Sequence, residues 1–416
     1  VSRKKILISA YACSPLRGSE HGTGWNTSWE LARNFDVHVL TRSKNRTDIE
    51  SFLKDQPGSD RTITVHYLEL PAAFARAKSH GVLPLAFYYS MWQVAALAWG
   101  RKHLPVIKPD LCHHLTFNSF EFPSFWHRFS IPTVLGPLGG GQTAPQELLP
   151  LVGSMAGAER IRSLRVAASE KNPFVRDGLR AAKAVIFANA ETRFRLEKWV
   201  TGSVHEMVDV GVDSAKFVPA VKNKQDGILR LLYVGKFENR KGVHLIPKIL
   251  SALKRKAYPF RIQFVGDGPE LNRVRTACER SALAESCEFS GKLSHERTVQ
   301  SYQNADFVVF PSVRDTSGAV ALEALSCGCP VVCFHHQGAA WMVSPDTGIL
   351  VNPREAASIP ALADVFAREL ISCHSDVVRH GAMRQAARLR AVSQFSWPAK
   401  AQVLTEIYQS VLRQRS

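Results

Sequence analysis

Apolar runs and amphipathic stretches alternate along this chain in two successive blocks. In the first block, KKILISAYAC (residues 4–13) predicts a buried strand that ends in a glycine-bearing loop. WNTSWELARNF (25–35) places apolar residues at helical spacing. FDVHVLTR (35–42), DLCHHLTF (110–117) and PTVLGPLGGG (132–141) predict further strands, the last ending in glycines. The second block repeats the pattern with strands over 229–237, 260–268, 287–293, 305–312 and 330–334 and helices over 244–256 and 319–327. Continuous apolar strands interleaved with helices imply parallel, doubly wound sheets with helices on both faces. The expected class is therefore α/β, with two Rossmann-like sheets in tandem.

A chain of 416 residues exceeds one ordinary core, and the polar stretch VKNKQDG (221–227) separates the blocks. The expected division is a first domain over 1–213, a linker over 214–227, a second domain over 228–394 and a last helix over 395–416. Residues 81–100 carry no charge, which is the length of a membrane span. Pro84, Tyr88, Tyr89, Ser90 and Gln93 dilute that stretch, so a buried or interfacial helix is expected instead.

The formal net charge of +17 points to an anionic partner: nucleic acid, a membrane face or phosphorylated small molecules. A generally basic surface gives the same number. The eight cysteines, at 13, 112, 278, 287, 327, 329, 333 and 373, form neither CxxC pairs nor zinc-finger spacings, which fits a reducing, cytoplasmic compartment. With the first apolar run starting at residue 6, no export leader is expected.

Charge and glycine concentrate at the strand ends, where open parallel sheets bind ligands. In SVRDTSGAVALEALSCGCPVV, Asp315 and Glu323 flank a helix start, so the amides of Thr316, Ser317, Gly318 and Ala319 can bind anionic oxygens while the carboxylates accept from hydroxyls. The same acids also read as a helix cap and a solvated helical residue. VGKFENRKG supplies Lys236 and Lys241, either a clamp for a diphosphate or a solvated basic loop. GSEHGTGW sets Gly18, Gly22 and Gly24 after the first strand, allowing close backbone approach to a ligand. It is not GxGxxG, which argues against a nicotinamide site. His113 and His114 point to opposite faces of one strand, and one of them could serve as a base. His335 and His336 have no spaced third ligand, so no metal is expected there.

Together these motifs resemble the retaining GT-B glycosyltransferases of glycosyltransferase family 4. The resemblance runs through GSEHGTGW, GPLGGGQTAP, VDVGVDSAKFVP, VGKFENRKG, GDGPE, FSGKLSHERTVQSYQNADFVVFPS, the carboxylate motif and FSW before the last helix. It implies two domains facing across a cleft, with the C-terminal helix crossing back to the first. Asp315 stands where the family usually has glutamate, Lys236 where it has arginine, and the glycine-rich element after PVV is reduced to Gly338.

By resemblance, catalysis falls to His113, His114, Lys236, Lys241, Asp315 and Glu323. The donor would lie on Gly22, Gly235, Lys236, Lys241, Gly266, Lys292, Leu293 and residues 315–319, with its ribose on Glu323. The acceptor would meet Glu20, Gly22, His113, His114, Thr116, Gly139 and Gly140. The implied reaction moves a hexose-type sugar from a nucleoside-diphosphate sugar to a glycan or lipid-linked hydroxyl, in surface polysaccharide or glycoconjugate synthesis. It retains configuration and requires no cofactor or metal. The basic stretch 159–183 and the neighbourhood of Arg76 and Lys78 suggest peripheral contact with an anionic membrane on its inner face. A phosphorylase or epimerase on the same scaffold, or a basic nucleic-acid-binding protein, are the alternatives. No nucleic-acid module is visible.

Overall fold

A computed structural model describes residues 3–56, 59–74, 84–220 and 226–414. The chain forms two compact units. The first comprises Val1–Gly141, Arg165–Val210 and Trp397–Ser416, and the second Gln142–Leu164 and Gly211–Ser396.

The first unit holds seven strands: β1 (Lys5–Ser9), β2 (Asp36–Thr41), β3 (Thr62–Tyr67), β4 (Leu111–His114), β5 (Thr133–Leu138), β6 (Ala184–Phe187) and β7 (Ser203–Glu206). Their order is β3-β2-β1-β4-β5-β6-β7, with every pair parallel. Both faces are apolar because both are covered. Ile6 and Ile8 of β1 join Trp25, Trp29, Leu404, Ile407 and Tyr408, the last three from the helix Trp397–Arg413. Leu7 joins Tyr89, Trp92 and Ala96 of the helix Leu85–Ile107.

The second unit holds β8 (Leu229–Val234), β9 (Phe260–Val265), β10 (Cys287–Gly291), β11 (Phe307–Phe310), β12 (Val331–Phe334) and β13 (Gly348–Val351). The order β10-β9-β8-β11-β12-β13, again parallel, is that of a Rossmann sheet. Its core gathers Leu231, Tyr233, Ile249, Ile262, Phe264, Val309, Val332 and Phe366.

Several sequence expectations change. Residues 142–164 belong to the second unit, because Leu148, Leu151 and Val152 are buried in its core. Strands β3, β6, β7 and β13 escape the periodicity reading; three of them have four residues, and β3 is only half-buried. GSEHGTGW is not an open loop. The helix begins at Ser19, so Gly22 and Gly24 lie inside it. A Cβ on Gly24 would sit 2.1 Å from the Ala12 carbonyl oxygen, so this glycine lets the helix touch the end of β1 rather than a ligand.

The uncharged stretch 81–100 forms part of Leu85–Ile107, with residues 81–83 outside the described chain. Among the described residues no helix is long and apolar enough to cross a membrane. Arg76, Lys78 and the polar residues 221–225 also lie outside the described chain.

Candidate functional site

Loops beyond the carboxyl ends of the two central strands of a doubly wound sheet diverge to opposite faces and leave a ligand crevice. In the second unit these strands are β8 and β11. The loop after β8 carries Gly235, Lys236, Arg240 and Lys241, and the loop after β11 carries Arg314 to Ser317. Lys241 and Asp315 form an ion pair there. Arg240 Nη1 lies 3.8 Å from the other Asp315 oxygen, while its Nε donates to Glu238 at 2.9 Å. Gly242 makes this approach possible: its φ is +65°, and a Cβ would fall 1.9 Å from the Pro311 carbonyl oxygen.

Asp315 does not cap the helix Ala319–Ser326. Gly318 occupies the N-cap, and no side chain caps the first turn. Ser317 is buried, and its Oγ has no hydrogen-bond partner among the described residues. The uncapped helix start and two cations are therefore carried by the loops around one crevice. Glu323 follows one helical turn after Ala319 and is not a solvated residue. It accepts from the Tyr302 hydroxyl at 2.7 Å, and burial pushes its carboxyl above the ordinary carboxylate range while that bond opposes the shift.

Other expected donor residues lie less centrally. Lys236 is 76% exposed and 3.8 Å from Glu238; Lys292, beside Leu293 at the end of β10, is 79% exposed and 3.6 Å from Asp267. Gly235 and Gly266 serve each other: a Cβ on Gly266 would fall 1.9 Å from the Gly235 carbonyl oxygen.

Sequence reasoning missed Gln337. It accepts from the Asp315 amide at 2.7 Å and donates to the Thr143 carbonyl at 3.0 Å, from a left-handed backbone at φ +56°. Gly338 packs on the same loop, since a Cβ there would lie 2.1 Å from the Thr316 carbonyl oxygen. Gln142 donates to Thr316 Oγ1 at 2.6 Å, and Arg314 grips Glu159 through two bonds of 2.8 and 2.9 Å. The available signal was HHQG, another strand end bearing glycine and polar residues. His336 is held neutral by burial, with its pKa lowered to about 4.

In the first unit the expected acceptor residues are largely engaged internally. His113 uses both ring nitrogens, at 2.5 Å from the Tyr408 hydroxyl and 2.7 Å from the Gly136 carbonyl, and burial lowers its pKa to about 3. His114 Nε2 lies 3.2 Å from the Tyr89 hydroxyl, with its pKa lowered to about 4. Both are core histidines in this geometry, so neither is poised as a base. Thr116 accepts from the Ala12 amide at 3.0 Å, and Glu20 accepts from the amides of Phe117 and Asn118 at 2.5 and 3.2 Å. Gly139 pairs with Ser119, and Gly140 packs on the Ser119 side chain. Gly22 is buried in its helix.

The family described as glycosyl transferases group 1 matches residues 215–370, the stretch that carries this crevice. That match takes in 156 of the 416 residues. It is 28% identical over 204 residues to the glycogen synthase of Mycobacterium tuberculosis (strain H37Rv), covering 49% of this chain and 48% of that protein. The chain thus spans about half the length of that curated relative. Among solved structures it is similar to sucrose-phosphate synthase from Thermosynechococcus elongatus, with a TM-score of 0.66, 19% identity and coverage of 99% and 100%. It is also similar to Anabaena Alr3699/HepE in complex with UDP, with a TM-score of 0.61, 16% identity and coverage of 98% and 100%. The fold shared with these structures is GT-B, with two parallel sheets of seven and six strands.

Proposed function

We propose that the chain is a retaining glycosyltransferase that moves a hexose-type sugar from a nucleoside-diphosphate sugar to a hydroxyl of a glycan or lipid-linked acceptor. The observation that carries this reading is the convergence of Lys241, Asp315 and the uncapped helix start at Ser317–Gly318 in one crevice. Departure of a nucleoside diphosphate leaves negative charge on its terminal phosphate and positive character on the sugar. Lys241 and the helix amides neutralise the first without a metal, while Lys236, at the same strand end, closes over the outer oxygens. Asp315 accepts from sugar hydroxyls once the phosphate competes for Lys241. Glu323 accepts from the ribose. Retention follows when the acceptor oxygen attacks from the leaving-group face, where the departing phosphate takes its proton.

The similar Anabaena protein is solved in complex with UDP, which supports a nucleotide-containing donor. Exposed Met155, Ile161 and Leu164, with the exposed Arg160 on the same segment, support peripheral contact with an anionic membrane on the cytoplasmic side. Thermal melts with uridine, guanosine and adenosine diphosphates and their sugars test the donor reading. A saturating nucleotide at a hundredfold its Kd adds about 2.7 kcal/mol. The reading fails if none of them raises the melting temperature.

A further inference from the structure

Residues 142–164 contain a site of their own. The 3-10 segment Gln146–Met155 reverses at Gly153, φ +54°, into the helix that starts at Ala156. Between the two runs a groove of about 900 Å³, within the size range of small-molecule sites. Its lining divides by character. Leu149, Pro150 and Ala156 present carbon, and Leu164 stands 72% exposed at one side. The buried Glu159 and the exposed Arg160 also line it. Glu159 is fully engaged by Arg314, whereas Arg160 makes no hydrogen bond or ion pair among the described residues. The groove therefore offers an apolar track with one uncommitted cation.

Its position ties it to the crevice. Glu159 binds Arg314, the neighbour of Asp315. Thr143, on the groove wall, accepts from Gln337, which also holds the Asp315 amide. Gln142 anchors Thr316. Lining residues of the groove are thus bonded directly to the loop that carries Asp315 and to the residue that holds its amide.

We propose that this groove binds the carrier portion of the acceptor: an anionic amphiphile whose alkyl chain lies over Leu149, Pro150 and Leu164 and whose phosphate-type group meets Arg160. An apolar track satisfies the chain, and a guanidinium satisfies a phosphate with paired hydrogen bonds. This assignment rests on the donor reading of the Asp315 loop.

The test is calorimetric titration of the whole chain with decyl phosphate below its micellar concentration, beside decyl maltoside and inorganic phosphate. Saturable one-site binding of decyl phosphate is expected, weakened about tenfold or more by Arg160→Glu and by Leu164→Glu, consistent with loss of a charge-assisted bond and of apolar contact. Both positions are exposed, and unchanged melting temperatures establish that the variants fold. Lys241→Ala should leave this binding intact. The proposal is overturned by equal affinity in wild type and both variants, by inorganic phosphate binding as well as decyl phosphate, or by loss of binding in Lys241→Ala. Binding to anionic vesicles without binding of monomeric decyl phosphate also overturns it and assigns these residues to a membrane face. Parallel titration with nucleoside diphosphates separates the two readings: decyl phosphate binding with no nucleotide binding upholds the groove as a site and removes only the donor assignment.

Discussion

The ammonium of Lys241 and the carboxylate of Asp315 neutralise each other at the junction of the loops after β8 and β11. A diphosphate that enters this crevice competes with Asp315 for Lys241, and the released carboxylate becomes available to hydroxyls. In the proposed function the two groups would act in sequence on one ligand.

Asp315→Asn removes that competition. A free nucleoside diphosphate should bind about three- to tenfold tighter, because its charge-assisted bond to Lys241 no longer displaces another. Turnover with the sugar donor should fall by about a hundredfold as a transition-state contact is lost. Calorimetry of the diphosphate and initial rates with the donor measure the two effects. Equal affinity in both proteins would show that the ion pair does not oppose binding.

Gln337→Ala should weaken donor binding although Gln337 touches no expected ligand atom. Losing its bonds to the Asp315 amide and the Thr143 carbonyl leaves two half-buried groups without this partner, a loss of about 1 kcal/mol each. A rise in donor KM with a lower melting temperature is expected. A drop in kcat alone would give Gln337 a different role.

Tyr302→Phe tests the burial of Glu323 through pH. Burial raises this carboxyl above its ordinary value of 4.5, so the folded chain holds the proton more tightly than the unfolded one. Its contribution is therefore most favourable in acid and is lost as pH rises through 4.5 toward the raised value. Removing the Tyr302 bond raises the carboxyl further. The variant should lose more melting temperature at about pH 8 than at about pH 5. A uniform loss would locate the effect in packing.

The core histidines make the opposite prediction. His113, His114 and His336 are held at about 3, 4 and 4, below the ordinary 6.5, so the unfolded chain binds more protons there. Stability should be complete above 6.5 and fall as acid approaches those values. His113→Phe should flatten the acid limb. At neutral pH it should cost about 1–3 kcal/mol for each group left unpaired, Tyr408 hydroxyl and Gly136 carbonyl. Denaturant titrations across pH measure both effects, and an unchanged acid limb would exclude His113 as a contributor.

The strands of both sheet centres are legible in the sequence because apolar runs such as ILIS and LLYV are buried on two faces. The carboxylate motif is legible because a helix start carries its own chemistry. Two kinds of information are not. Short strands such as SVHE have too few residues to display a period. Side-chain roles set by distant partners are invisible from spacing: Gln337 gains its role from Thr143 and Asp315, and His113 loses one to Tyr408, which is 295 positions away. The glycines of GSEHGTGW misled because close approach to a ligand and close approach to the Ala12 backbone demand the same residue.

Residues 142–164 carry a practical consequence for dissecting the protein. Because the chain passes between units after residues 141, 164, 210 and 396, neither unit is a contiguous stretch. A fragment cut to the family-matched region 215–370 would lack Leu148, Leu151 and Val152 and expose the surface they cover. It would also leave Arg314 without its carboxylate. Exchanging second units between chains of this fold at the single join near residue 211 would therefore separate that unit from part of its own interior, and a folded chimera would have to carry its 142–164 segment along.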